Sequence, residues 1–197
     1  MKKSLAGLGL LLMPLPIFAA ISVDLAHQSP SFLKSRALIG SLKLEEINRS
    51  SDFNDTLHVR LQQTYAGHPV LGADAVMHIS NAGQSKKPLT TLLSHSSFMN
   101  GIVYQDLDKD LVNTPSYVFD PVQMEKAIAH VISLYQSDKT KQLTIENKTA
   151  RLVVYLDKKN KAHWAFVVNF FVPPHQNVSA EQPAYIIDAV SFDVYKH

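Results

Sequence analysis

His58, His68 and His78 stand ten residues apart, and a hairpin centred near Gly67 and His68 would bring the imidazoles of His58 and His78 side by side, as a metal site requires. Two imidazoles without a third ligand or a carboxylate make a poor site. With nine histidines in the chain, the spacing reads better as the polar face of a hairpin. Asp106, Asp108 and Asp110 place carboxylates at alternate positions, as a calcium loop does. The sixth position of such a loop should be glycine and is Leu111; the twelfth should be glutamate and is Tyr117. A solvated acidic turn fits better. Trp164, Phe166, Phe170 and Phe171 could form a carbohydrate or peptide platform, but aromatics in a valine-rich strand beside a helix are usually core.

Most enzyme signatures fail at the first residue that the chemistry needs. A zinc protease helix sets His-Glu-x-x-His on one face, and not one histidine here is followed by glutamate. There is no Gly-x-Ser-x-Gly elbow and no phosphate-binding glycine loop, and the chain's one Gly-x-Gly, Gly7 and Gly9, lies in its first twenty residues. Without cysteine there is neither a thiol nucleophile nor a thiolate metal site. The expectation is a protein that is not an enzyme, with no cofactor and no metal.

Lys2 and Lys3 precede an apolar run over residues 5–18, then Ala19 and Ala20. That order reads as a secretory signal peptide, and Pro14 and Pro16 interrupt a run already too short to span a bilayer. Cleavage after Ala19 leaves Ile17 three positions back; cleavage after Ala20 leaves the bulkier Phe18 there, so Ala19 is favoured. Loss of residues 1–19 removes two of 19 basic residues, leaving 17 against 17 acidic ones. A neutral chain has little electrostatic motive for nucleic acid or anionic membrane. The expectation is an exported protein, periplasmic or secreted, with no membrane contact once the signal is cut.

The elements that would position any site follow from periodicity. From Leu57 to Tyr65 apolar residues alternate with polar ones, Ala66, Gly67, His68 and Pro69 break the pattern, and it resumes through Leu71, Ala73, Ala75, Met77 and Ile79. Period two predicts a hairpin over residues 57–80 with Gly67 and Pro69 at its turn. Residues 81–114 give a weaker signal, sufficient for one or two further strands. Asp120 can cap a helix, Pro121 suits its first position and Gln123 sits where the return arm of a capping box belongs. Met124, Ala127, Ile128, Val131 and Tyr135 then share one face. Strands rich in valine and aromatics follow at 152–156, 164–172 and 185–190. This predicts an α+β fold of two small modules: an antiparallel sheet over 20–118, then over 119–197 a helix packed on a second antiparallel sheet.

Residues 57–80, LHVRLQQTYAGHPVLGADAVMHIS, resemble the first part of the prosegment of thermolysin-like secreted zinc proteases, the fungalysin/thermolysin propeptide module. Its signature is carried by Arg60, Gln62, Gln63, Tyr65, Gly67, Pro69, Val70, Gly72 and Asp74. The helix and last strands, with LVVYLD, AHWAFVV and PAYIIDAV, resemble the PepSY module that follows it, down to Asp188 and Ala189. The likeness covers about residue 40 onward and is nearest to Gram-negative elastase-type precursors. In that family the Asp-Ala pair leads into Thr-Gly-Glu-Val and then the protease; here Ser191, Phe192, Asp193 and Val194 take that place.

The resemblance implies a prosegment without its protease domain, acting in trans as inhibitor or folding chaperone of an exported thermolysin-like zinc metalloprotease. The alternative is a periplasmic or secreted PepSY-type binding module with no inhibitory role. Family prosegments end beside the protease cleft, which makes Ser191, Phe192, Asp193, Val194, Tyr195, Lys196 and His197 the expected contact. A terminal imidazole and carboxylate at His197 are competent zinc ligands, and Phe192 and Tyr195 would suit an apolar pocket. The bland reading of the same residues is a frayed tail.

Overall fold

A computed structural model describes residues 19–29, 31, 43–80, 83, 86–95, 98–137, 139, 142–174 and 179–196. The expected signal peptide up to residue 18 and the expected zinc ligand His197 lie outside the described residues.

Why the hairpin forms is visible at its tip. Strands β3 (Thr56–Tyr65) and β4 (His68–Ser80) are joined by Ala66 and Gly67, both with positive φ, 50° and 80°. Two left-handed residues in succession match the twist of the flanking strands. Pro69, expected in the turn, already belongs to β4 and sits opposite Thr64. Outside the hairpin, β2 (Lys43–Ser51) pairs with β3, β5 (Phe98–Gln105) with β4, and β1 (Ile21–Asp24) with β5, all antiparallel. Later strands β6 (Glu146–Leu156), β7 (Ala162–Phe171), β8 (Ala184–Asp188) and β9 (Val194–Lys196) pair antiparallel in chain order. A single parallel bridge, Val70 to Val154, joins β4 to β6. The fold is α+β, mostly strand, and its sheet is mixed.

Two hydrophobic clusters lie under these strands. The first gathers Leu57, Val59, Leu61, Ala75, Met77 and Ile79 from the hairpin with Leu92, Leu93, Met99 and Val103. The second gathers Trp164, Phe166, Val168 and Ile187 with Val70 and Ala73 from the hairpin's tip. Each fully buried side chain of this size contributes about 1.5–3 kcal/mol. Helix α3 (Pro121–Ser137) closes the second cluster with the expected stripe: Ala127, Val131 and Tyr135 are buried, and Met124 and Ile128 pack beside them. Asp120 caps it, its Oδ1 accepting from Val122 N–H at 2.9 Å.

Three expectations need correction. Between 81 and 114 one expected strand is present as β5, preceded by helix α1 (Leu89–His95), but the expected acidic turn at 106–110 is a short helix α2 (Leu107–Leu111). Leu107 and Leu111, one turn apart, are both buried, and that pair outweighs the three aspartates between and before them. Gln123 does not return to its own cap; it is buried and donates Nε2–H to the carbonyl of Ala189 at 3.0 Å. The segment after residue 190 is no frayed tail as far as Lys196, since β9 pairs with β8.

Candidate functional site

At the end of β8 the chain reverses around one carboxylate. Asp188 Oδ1 accepts from the N–H groups of Val190 and Ser191, both at 2.8 Å, and the backbone N–H of Asp188 donates to Asp193 O. That arrangement is an Asx-type turn, in which aspartate replaces the backbone as acceptor. Phe192 sits within it at φ 64°. The reversal returns β9 alongside β8, and the hydroxyl of Tyr195 donates to Asp188 Oδ2 at 2.5 Å.

Burial pushes the Asp188 carboxyl up. The Tyr195 hydroxyl, the two N–H groups and the nearby His163 outweigh it, so its pKa lies below the ordinary value. Tyr195 moves the other way: burial and the bond to Asp188, with the fields of Asp157 and Asp193, raise its hydroxyl well above the usual phenol range. His163 lies between Asp157 Oδ2 at 3.4 Å and Asp188 Oδ2 at 4.0 Å. Asp157 is itself lowered, burial being overcome by the N–H groups of Lys161 and Lys159 and by His163. Tyr155 stacks on Tyr195 with centroids 4.7 Å apart.

The residues expected to meet a protease are thus divided. Tyr195 and Phe192, expected to fill a partner's apolar pocket, pack on their own chain, Tyr195 on Tyr155 and Phe192 on His130 at 5.6 Å. Ser191 Oγ donates to Asp193 Oδ2. Val194 and Lys196 remain exposed on β9, the outer strand of the sheet. Val190, at the corner between β8 and β9, is exposed as well.

The motif residues of the hairpin do structural work. Gln62 donates Nε2–H to Val70 O at 2.7 Å and Ala73 O at 3.2 Å, filling the gap in the ladder where Gly72 takes φ 75°. Gln63 is fully buried and its amide pairs with the backbone of Tyr104, donating at 2.7 Å and accepting at 2.8 Å. Tyr65 and the tip residue His68 lie against Trp164, at 6.0 and 5.3 Å between centroids. Arg60 and Asp74 are exposed. These residues build a hairpin and fasten it to the second core.

Register does pair His58 with His78, Nδ1 to Nδ1 at 2.9 Å. The outer nitrogens face Asp52 Oδ2 at 3.0 Å and Asn100 Oδ1 at 3.1 Å. Among the described residues, no group of three or more His, Cys, Asp or Glu is placed to hold a metal.

Residues 43–86 match the Fungalysin/Thermolysin Propeptide Motif. A zinc metalloproteinase of Legionella pneumophila is 32% identical over 181 residues, 89% of this chain and 31% of the relative. Zinc metalloproteinase MspA of Legionella longbeachae is 35% identical over 147 residues, 74% of this chain and 26% of the relative. A virulence metalloprotease of Vibrio anguillarum is 29% identical over 186 residues, 91% and 28% respectively. The chain spans less than a third of the length of these relatives.

Proposed function

Because this chain carries the propeptide motif and is related over most of its length to part of several zinc metalloproteinases, we propose that it acts as a prosegment-like inhibitor or folding chaperone of a thermolysin-like zinc protease, in trans and after export. The observation that carries this reading is the match itself, which begins in β2 and takes in the whole hairpin. The chain's own role is binding, not catalysis. Its helix and last four strands, read as a PepSY module, supply the contact, and residues 191–197 meet the protease at the sheet's outer edge.

An outer strand offers a row of backbone donors and acceptors to an incoming segment. Val194 and Lys196 on β9, with Val190 at the preceding corner, are the side chains available there. Tyr195 and Phe192 hold that edge in place from beneath.

The test adds the purified protein to a thermolysin-like zinc protease from the same organism and follows peptide hydrolysis and refolding yield. Wild type should inhibit, or raise the yield. Val194→Arg, on an exposed site, should weaken the effect about tenfold, equivalent to ~1.4 kcal/mol, without lowering the unfolding temperature. Neither inhibition nor chaperoning by wild type would leave the non-inhibitory binding module as the better reading.

A further inference from the structure

Ala20 is only 4% exposed and belongs to the second core, while Ala19 before it is half-buried. Its nitrogen faces two acceptors, Asn160 O at 3.0 Å and Asp110 Oδ2 at 3.2 Å. A backbone amide has one hydrogen and cannot serve both well. An α-ammonium has three.

Both acceptors are fixed independently of Ala20. Asp110 Oδ2 also accepts from Ala162 N–H at 2.8 Å. Asn160 closes the β6–β7 turn, donating its N–H to Asp157 O, and Asp157 Oδ1 in turn accepts from Lys159 and Lys161. Delivery is fixed as well. β1 begins at Ile21 opposite Gln105, the last residue of β5, and α2 with Asp110 follows at once. Pairing of β1 with β5 therefore carries the nitrogen of Ala20 to Asp110.

We propose that the export leader is cut between Ala19 and Ala20 and that the α-ammonium released at Ala20 is the intended occupant of this socket, ion-paired to Asp110 and hydrogen-bonded to Asn160 O. The cut is a hydrolysis by a peptidase of the exporting membrane. Water adds across the Ala19–Ala20 amide, the C–N bond breaks, Ala19 leaves as a carboxylate and Ala20 retains the protons as an ammonium. A half-buried carboxylate that already accepts one N–H gains a stronger, charge-assisted bond from an ammonium held in place. The inference rests on the export reading, and it makes processing a folding event: only a chain starting at Ala20 presents an ammonium at this point.

Two measurements test it. Mass spectrometry of the protein exported by its native host should give a free amine at Ala20. A start elsewhere overturns this inference alone, whereas an intact Met1 on cytoplasmic protein overturns the export reading with it. Separately, chains beginning at Ala19 and at Ala20 are compared by calorimetry, each with Asp110 and with Asp110→Asn. The Ala20 start should unfold about 2–4 °C higher, and Asp110→Asn should abolish the difference. Should Asp110→Asn not fold, Nα-acetylation of the Ala20 chain, which removes the charge and two hydrogens, should lose the same shift. Equal unfolding temperatures for the two starts, or a difference that survives acetylation or Asp110→Asn, would overturn the socket.

Discussion

Tyr195 reaches back across the β8–β9 reversal to donate its hydroxyl to Asp188 Oδ2 at 2.5 Å, adding a side-chain tie to the backbone pairing that holds β9 on β8. A hydrogen bond to a charged acceptor contributes about 1.5–3 kcal/mol. The ring is half-buried, so the lower end applies. Tyr195→Phe keeps the stack on Tyr155 and should lower the unfolding temperature by about 3–6 °C, at about 2–4 °C per kcal/mol, read by calorimetry. Deleting residues 191–197 would remove β9 and the bond together, so truncation destabilises and is a poor probe of partner binding.

The same pair shapes the pH dependence of stability. Asp188 and Asp157 have lowered pKa values in the fold. Their contribution is complete above the unfolded value, about 3.9, and is lost as pH falls through the lower folded values. Tyr195 is raised, and so is Tyr135, to about 12 by burial and its bond to Glu181. The tyrosine contribution is complete below the unfolded value of about 10 and is lost as pH rises through the folded values. Urea unfolding from pH 2 to 11 should show a broad plateau with both limbs falling. Asp188→Asn should flatten the acid limb and Tyr195→Phe the alkaline one.

The hairpin, the α3 stripe and the last valine-rich strands were legible because each buries one face, and burial imposes a period on the sequence. What was hidden depends on distant partners. Gln123 reads locally as a capping residue, but its partner, the Ala189 carbonyl, lies 66 residues away. Leu107 and Leu111 are too short a pattern to outvote three aspartates until the second core is assembled around them. Nothing in the order Ser191, Phe192, Asp193 marks a turn, because the residue that organises it is Asp188, before it. The motif residues were recognisable, yet their spacing suggested a signature and not the ladder repair that Gln62 and Gln63 perform.

Gln63 is the sharper of those two. Its buried amide satisfies both the N–H and the carbonyl of Tyr104. Gln63→Leu keeps most of the volume but leaves two backbone groups buried without partners, at about 1–3 kcal/mol each. Stability from urea unfolding should fall by about 2–6 kcal/mol. Arg60→Ala, at an exposed position on the same strand, should change it by less than about 0.5 kcal/mol.

Two glycines in the same sheet should respond very differently to alanine. At Gly101, φ is 125° and an added Cβ would lie 2.1 Å from the carbonyl oxygen of Asp74, on the adjacent β4. The obstacle is backbone in a paired strand, so the sheet must open to admit a methyl group. Strain at such a φ costs about 1–3 kcal/mol, and overpacking costs about as much again. Gly67, at φ 80°, has nothing within 4 Å of the corresponding point. Gly67→Ala should therefore lose only about 1 kcal/mol, and Gly67→Asn less, because asparagine tolerates the left-handed region. Gly101→Ala should lose about 3 kcal/mol or more and speed amide exchange along β4 and β5. Equal losses at the two glycines would mean that β5 does not lie against Asp74 and Ala75 as the register requires.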